Sequence, residues 1–376
     1  MSGANRLVSV IVNNYNYGRF LGEAIDSALL QEYEPVEVLV VDDGSTDHST
    51  DVIARYGERI IPVLKTNGGQ ASAFNVGIAA SHGDIVIFLD ADDTLLPSAV
   101  GLAVAQFRPG VVKVHWPLWL ANEALERTGQ VTPGDELPRG DLCEYTLREG
   151  PATTLSSPTS GNAWSREFLE RVGPIPESSH RIGADGYLYG LAPAFGEIER
   201  LESPQGVYRV HRGNGYRRMP VEERIRLGAA SFEQMWDLME REFSVAKGSA
   251  REHWARGAYF HRLNAAIAEI ERVVPRDATF ILLDDDHWAL YGSLSGRLVV
   301  PFPERNGEYC GRPDDDEAAI AELARLRAER DTRYIVVAWP AFWWLEYYAG
   351  FDAHLREQFP ELLSSDRVRI FDVGDR

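Results

Sequence analysis

The sequence is poor in cysteine, in positive charge and in long apolar runs. Its 376 residues include two cysteines, Cys143 and Cys310, too few for a disulfide framework or a cysteine-based zinc site. Lys and Arg number 38 against 57 Asp and Glu, a net charge of −19 that disfavours nucleic acid and acidic membrane surfaces as partners. No run reaches the ~18 apolar residues that cross a bilayer, and no leader-like segment opens the chain. We therefore expect a cytoplasmic protein with no integral membrane segment.

Strand and helix patterns alternate clearly at the start of the chain. Short β-branched apolar runs predict strands at Leu7–Val12, Val36–Val41, Ile60–Leu64 and Asp84–Leu89. Helical patterns lie between them at Phe20–Leu30, Ser49–Arg55 and Ala71–Ala80. This alternation predicts an α/β fold with a mostly parallel sheet. Functional loops should then lie at the carboxyl ends of the strands.

The rest of the chain suggests two further parts. Residues 1–220 are predicted to form the first domain, 221–274 a helical connection, and 275–376 a smaller C-terminal α/β domain. In this last part we expect one helix over Phe342–Gln358 and another from Glu317, capped by the preceding aspartates. The role of this domain stays open between packing and the shaping of an acceptor site.

Acidic clusters follow two strands of the first domain, at Asp42–Asp47 and Asp90–Asp93. Carboxylates in this position face the crevice in which α/β proteins bind ligands. Asp90 and Asp92 lie on one side of an extended chain, an arrangement suited to Mg²⁺ or Mn²⁺ bound to phosphate oxygens. The alternative for both clusters is a set of turn and helix-capping residues.

Taken together and in order, the motifs resemble the family-2 glycosyltransferases, whose nucleotide-sugar-binding fold is called GT-A. The resemblance covers roughly residues 7–216. The segments that carry it are Asn13-Asn14-Tyr15-Asn16, Asp42-Asp43-Gly44-Ser45, Asn67-Gly68-Gly69, Asn75-Val76-Gly77 and Asp90-Ala91-Asp92-Asp93.

The resemblance implies a donor site for a nucleoside-diphosphate sugar. Tyr15 would lie against the base with Asn13 lining the same pocket, and Asp43 would contact the base. Asn75 would join the sugar-nucleotide site, and Asp90 would face the ribose. One departure from the family pattern is Phe74, where many relatives have arginine.

The same resemblance implies a divalent metal, Mn²⁺ or Mg²⁺. Asp92 would ligate it on the diphosphate, with His211 beside it, while Asp93 is a turn or capping residue. Since the chain carries a charge of −19, a metal would also offset the charge of the pyrophosphate. A polar loop histidine is the alternative for His211.

On the acceptor side, Asp185 matches the family's catalytic base, and Ala184 stands where a glutamate is usual. A base is needed because the acceptor hydroxyl must lose its proton as it attacks. The alternative is a capping or surface carboxylate. Trp164 is predicted either to stack on an acceptor sugar or to pack in the core.

The resulting functional prediction is an inverting, metal-dependent glycosyltransferase. It would move a sugar from a nucleoside-diphosphate donor to a glycan or lipid-linked acceptor, in cell-surface glycan or polysaccharide synthesis. Two alternatives stay open: a nucleotide-sugar-binding module without transfer activity, which Ala184 suggests, and a nucleotidyltransferase.

Overall fold

A computed structural model describes residues 6–211, 221–243, 253–255, 258–288 and 292–374. The chain forms two compact units, Met1–Arg218 with Leu227–Ala258, and Met219–Arg226 with Tyr259–Arg376. The predicted helical connection, 221–274, is thereby divided between the two units.

The first unit is built on a sheet of apolar strands. Its strands are β1 Val8–Asn14, β2 Val36–Asp42, β3 Ile61–Leu64, β4 Ile85–Asp90, β6 Val111–His115, β9 Asn162–Ser165 and β10 Glu197–Arg200, in the spatial order β10-β6-β9-β4-β1-β2-β3. β1, β2 and β4 are almost wholly buried, as expected of strands covered on both faces. β1 pairs in parallel with β2 and with β4. The predicted mostly parallel α/β sheet is confirmed.

One strand of this sheet runs against the others. β9 lies antiparallel between β4 and β6, and a 3-10 turn, Thr159–Gly161, leads into it. A smaller sheet contains β5 Thr94–Leu95, β7 Leu118–Ala121, β8 Arg127–Thr132 and β11 Gly206–Arg209, in the order β5-β11-β7-β8.

Helices pack on the large sheet through small and branched apolar residues. They are α1 Gly18–Leu29, α2 Ser49–Ala54, α3 Gln70–Ala80, α4 Ala99–Gln106, α5 Cys143–Glu149, α6 Arg166–Val172 and α7 Ala184–Phe195. α1 illustrates the pattern, because Leu21, Ala24, Ile25 and Ala28 form its buried stripe at helical spacing. A further helix, α8 Val221–Phe243, follows.

The second unit is also α/β. Its main sheet contains β12 Thr279–Leu283, β13 Gly292–Leu294, β14 Arg297–Pro301, β17 Tyr334–Ala338, β18 Glu361–Ser364 and β19 Val368–Asp372, in the order β13-β14-β12-β17-β19-β18. A two-stranded sheet joins β15 Glu304–Arg305 to β16 Glu308–Tyr309. The predicted smaller C-terminal α/β part is therefore present.

The helices of this unit are α9 Tyr259–Val273, α10 Asp316–Arg330, α11 Phe342–Tyr347 and α12 Ala349–Gln358. Asp315 caps α10 by accepting the Ala318 N–H at 2.8 Å, which confirms the predicted cap. The prediction of a single helix over Phe342–Gln358 is wrong. The chain breaks at Tyr348, and Asp316 accepts the Phe351 N–H at 2.8 Å, which satisfies a first-turn donor of α12. Among the described residues, no helix has both the length and the apolar character needed to cross a bilayer.

Candidate functional site

The carboxyl ends of β1 and β4 bring Asn13 and Asp90 together. The two residues are register partners in the parallel ladder, and Asn13 Nδ2 donates to Asp90 Oδ1 at 2.6 Å. The other atom of the Asn13 amide, Oδ1, is buried and has no hydrogen-bond partner among the described residues. Because a buried acceptor is rarely left unpaired, this oxygen points to a donor group on a ligand.

Tyr15 lies on a fixed loop beside this edge. The next residue, Asn16, has a left-handed backbone conformation (φ 59°), and its Oδ1 accepts the Thr46 N–H at 2.7 Å. The Asn16 N–H in turn donates to Ser45 Oγ at 2.8 Å. The loops after β1 and β2 are thus tied together, while the Tyr15 side chain remains 47% exposed and able to stack on a planar ligand.

The carboxylate of Asp43 is buried and surrounded by donors from residues 65–69. It accepts hydrogen bonds from Lys65 Nζ at 2.5 Å and from the N–H groups of Gly68 and Gly69 at 2.9 and 2.7 Å. Asn67 Nδ2 adds a fourth at 3.0 Å. In this structure Asp43 therefore anchors the loop before α3. Its contact with a nucleotide base stays a prediction.

Three carboxylates follow β4 and converge. One oxygen from each of Asp90, Asp92 and Asp93 lies within 4.8 Å of the others. Burial raises the pKa of Asp90 to about 7, and the Asp92 charge adds to the rise. Asp93 is occupied by the protein, because it accepts from Ser160 Oγ at 2.7 Å and from the Arg209 N–H at 3.0 Å. This supports the turn-residue prediction for Asp93, and ligation of a metal by Asp92 stays a prediction.

His211 lies against Asp92, with 2.9 Å between its Nε2 and Asp92 Oδ2. Its Nδ1 lies 3.4 Å from Arg19 Nη2. A guanidinium can only donate, so Nδ1 accepts and Nε2 carries the proton that is donated to Asp92. The two side chains predicted to flank a metal are thus together. In this arrangement His211 orients the Asp92 carboxylate, and its own ligation of a metal stays a prediction.

Asp185 lies in the first turn of α7, behind Gly183 in a left-handed conformation (φ 76°). Burial raises the pKa of Asp185, although a hydrogen bond from the Thr159 side chain acts to lower it. The charge of Asp185 in turn contributes to the raised pKa of Asp90. The Gln70 side chain links the two regions, because it contacts Asp90 Oδ1 at 3.4 Å and the N–H of Ala184, the residue before Asp185, at 3.0 Å.

The structure gives Asn75 a role within the protein. Its Nδ2 donates to the Ile175 carbonyl at 2.9 Å, and its Oδ1 accepts the Ile175 N–H at 2.8 Å. Both groups of the amide thus tie α3 to the segment before α7. Its predicted contact with the sugar nucleotide would compete with these bonds.

Trp164 lies in the core. Its side chain is 1% exposed, its ring stacks on Phe168 with 5.8 Å between centroids, and Lys113 Nζ lies 5.3 Å from its ring centroid. A ring covered in this way cannot stack on an acceptor sugar. The structure therefore favours the core-packing alternative and corrects the predicted acceptor contact.

The carboxylate pair suits a divalent cation. Asp90 and Asp92 supply hard oxygen ligands, which Mg²⁺ and Mn²⁺ prefer. Burial is the main cause of the raised pKa of Asp90, and repulsion by the nearby Asp92 carboxylate adds to it. A cation bound between them would remove that repulsion.

Comparison with known proteins agrees with the site. Residues 9–130 match the family model described as "Glycosyl transferase family 2". This segment belongs to glycosyltransferase family 2. The resemblance predicted from the motifs is confirmed, and with it the GT-A fold class. Asp185 and His211 lie beyond the matched residues.

Two relatives and one solved structure are among the proteins similar to this chain. An uncharacterized glycosyltransferase of Nostoc sp. (strain PCC 7120) is 40% identical over 215 residues, 56% of this chain and 66% of that protein. One from Rickettsia prowazekii is 42% identical over 94 residues, 25% of this chain and 30% of that protein. The chain thus spans less than two thirds of either relative. The mannosyltransferase PcManGT from Pyrobaculum calidifontis, solved with GDP-Man and Mn²⁺, is 20% identical with a TM-score of 0.47, over 94% of this chain and 86% of that one.

Sequence reasoning missed two residues that hold the family-2 site together. Gln70 lies between Asp90 and the start of α7, and no local pattern marks it, because a glutamine at a helix start resembles a surface residue. Arg209 is the second, since an arginine in this segment suggests a phosphate-binding cation and not a structural role. Its guanidinium donates to the Asp92 carbonyl at 2.7 Å and to the Glu123 carbonyl at 2.6 Å, while pairing with Glu23.

Proposed function

We propose that this protein transfers a sugar, with inversion, from a nucleoside-diphosphate sugar to an acceptor hydroxyl. The observation that carries the proposal is that Asp90, Asp92 and Asp93 converge at the carboxyl end of β4, while Gln70 connects Asp90 to the start of α7, the helix that carries Asp185. Such an edge is where open α/β sheets bind their ligands. The family-2 match of residues 9–130 supports the same reaction class.

The donor would bind across the ends of β1 and β4. The exposed ring of Tyr15 would stack on the base, and the unpaired Asn13 Oδ1 would accept from the nucleoside. Asp90 would face the ribose. Asp43 contributes by holding loop 65–69 in place.

Asp92, with Asp90 beside it, would hold Mn²⁺ or Mg²⁺. Such an ion supplies charge neutralisation for the diphosphate that departs. The hydrogen bond from His211 engages Asp92 Oδ2, so Asp92 Oδ1 would be the oxygen that binds the ion. Arg209 holds the main chain of Asp92 through a hydrogen bond from its guanidinium to the Asp92 carbonyl.

Asp185 would act as the general base. It takes the proton of the acceptor hydroxyl while the hydroxyl oxygen forms a bond to the anomeric carbon. The bond from that carbon to the phosphate oxygen breaks, and its electron pair leaves with the nucleoside diphosphate. Since burial raises the pKa of Asp185, its carboxylate is a stronger base than an exposed aspartate.

The finer predictions belong to this proposal. They are catalysis by residues 1–220, a glycan or lipid-linked acceptor, a role in cell-surface glycan or polysaccharide synthesis, and a cytoplasmic location. The C-terminal domain would shape the acceptor side or pack against it.

The test is a panel of nucleoside-diphosphate sugars with and without Mn²⁺, read as nucleotide release and as thermal shift. Release that depends on Mn²⁺ and on Asp185 supports the proposal. A donor that raises the melting temperature by the expected RT ln(1 + [L]/Kd), with no release for any acceptor, would favour the binding-module alternative. Formation of a nucleotide sugar from a nucleoside triphosphate and a sugar phosphate would favour a nucleotidyltransferase.

A further inference from the structure

The side chain of Gln70 joins the donor side of the site to the helix that carries Asp185. Its Nε2 donates to Asp90 Oδ1 at 3.4 Å. Its Oε1 accepts from the backbone N–H groups of Gly183 at 2.8 Å and of Ala184 at 3.0 Å. A single planar amide therefore contacts both of the elements that the reaction must align.

The start of α7 depends on this amide. The first N–H groups of a helix have no partner within the helix, and a capping side chain usually satisfies one of them. Gly183 occupies the capping position and has no side chain to do so. Gln70, from another part of the chain, accepts the N–H of Ala184, which is the first residue of α7 and the neighbour of Asp185, together with that of Gly183.

The main chain around Gln70 holds it in this place. The Gln70 N–H donates to the Arg181 carbonyl at 2.8 Å, and the Ala71 N–H donates to the His180 carbonyl at 3.1 Å. The approach is close because Gly69 (φ 90°) lacks a Cβ, which would lie 2.8 Å from Arg181 backbone atoms. The backbone of Gln70 is thus held against residues 180–181, so its side chain has a fixed place next to the start of α7.

We propose that Gln70 is a positioning residue that fixes the Asp185 carboxylate relative to Asp90. The inference rests on the proposed function, since it assigns Asp185 the role of base. Gln70 itself would touch neither the donor nor the acceptor. Its loss should therefore lower turnover while leaving donor binding nearly unchanged, because Asp90 keeps its hydrogen bond from Asn13.

Two substitutions separate positioning from simple helix capping. Gln70→Ala removes the contacts with both Asp90 and α7. Gln70→Glu keeps an oxygen that can accept from Gly183 and Ala184, and a negative charge at a helix start is favourable. It cannot donate to Asp90, however, and places a second carboxylate beside it.

Gln31 provides a matched control. It is also a partly buried glutamine with three side-chain hydrogen bonds: it donates to the Ser27 and Leu96 carbonyls at 2.9 Å and accepts the Val100 N–H at 3.0 Å. None of these partners belongs to the candidate site. Gln31→Ala should therefore lower the melting temperature about as much as Gln70→Ala, without lowering turnover of the properly folded protein.

The assay is release of UDP or GDP from UDP-glucose, UDP-N-acetylglucosamine and GDP-mannose, with Mn²⁺ and with water as the acceptor. We expect kcat to fall roughly 10–100-fold in both Gln70 variants, because displacement of a catalytic group by about 1 Å costs on the order of 10²-fold. The affinity for UDP or GDP with Mn²⁺, measured by calorimetry, should stay within about threefold of the wild type. This change in affinity is much smaller than the expected fall in kcat. If Gln70→Ala does not fold, Gln70→Glu carries the same test.

A double-mutant cycle with Asp185→Asn completes the test. If Gln70 acts through Asp185, adding Gln70→Ala to Asp185→Asn should lower kcat by less than about threefold. A full additional 10-fold loss would overturn the positioning role, as would a Gln70→Ala kcat equal to that of Gln31→Ala. A wild-type chain that releases no nucleotide would instead overturn the proposed function, and this inference with it.

Discussion

Replacement of Asp43 by alanine should destabilise the first unit far more than an ordinary loop substitution. Asp43 is 3% exposed, and its carboxylate accepts hydrogen bonds from Lys65, Asn67, Gly68 and Gly69. Alanine would leave these donors without their acceptor. The loop before α3 would have to move to satisfy them.

The expected size of the effect follows from the partners lost. A buried N–H without an acceptor costs about 1–3 kcal/mol, and breaking a buried ion pair costs about 3–5 kcal/mol. Since residues 65–69 lie near the surface and can relax toward water, we expect a total of about 3 kcal/mol. At ~2–4 °C per kcal/mol for a unit of this size, the melting temperature should fall by about 6–12 °C.

Asp47→Ala is the matched comparison, because Asp47 is an exposed aspartate in the same loop. It accepts the N–H groups of Gly18 and Ser49, both at 2.9 Å, and its loss should cost ~1 kcal/mol. Urea unfolding gives both free energies, and calorimetry gives nucleotide affinity, which Asp43→Ala should weaken much more than Asp47→Ala. Equal losses of stability in the two variants would refute the anchoring role of Asp43.

Three further results are expected. Asp185→Asn should lower turnover by roughly 10²–10⁴-fold, the usual size of general-base catalysis, with donor affinity by calorimetry almost unchanged; near-normal turnover would place the base elsewhere. Asp92→Asn should abolish the Mn²⁺-dependent part of nucleoside diphosphate affinity and keep the circular dichroism spectrum, and unchanged Mn²⁺ dependence would contradict the metal assignment. In the second unit, burial alone would raise the pKa of Glu322, but hydrogen bonds from Arg325, the Glu304 N–H and Arg305 lower it from 4.5 to about 2. The ionised carboxylate therefore adds stability that is complete above pH 4.5 and is lost as the pH falls toward 2. Glu322→Gln should lower the free energy of urea unfolding at pH 7 by ~1–2 kcal/mol, since solvent screens its partly exposed arginine partners, and by progressively less below pH 4; a difference independent of pH would contradict the assignment.

The sequence predicted best those parts of the site that follow directly from strand ends. Asn13 and Asp90 each end an apolar run, and parallel pairing of two such runs places their side chains together. The contact between Asp92 and His211 spans 119 residues and was reached only through the family resemblance, because no local pattern links a loop histidine to a distant carboxylate.

Other parts depend on tertiary packing that no local pattern encodes. Trp164 was a candidate for an acceptor contact because its segment resembles the family's acceptor side and an aromatic ring can stack on a sugar. The structure makes that segment a strand of four residues, Asn162–Ser165, between two others, and so buries the indole. In the same way, the importance of Gln70 depends on the approach of Gly183, which lies more than a hundred residues away.

The direction of β9 has a consequence for the candidate site. In a parallel strand only the carboxyl end lies at the edge of the sheet where ligands bind. β9 runs in the opposite direction, so its amino end lies at that edge. Ser160, just before β9, accordingly donates to Asp93 and accepts the Asp90 N–H at 3.2 Å. The residues that lead into β9 therefore contact the carboxylates that end and follow β4 directly. A change just before β9 would be felt at the candidate site without any change in the loops after β1 and β2.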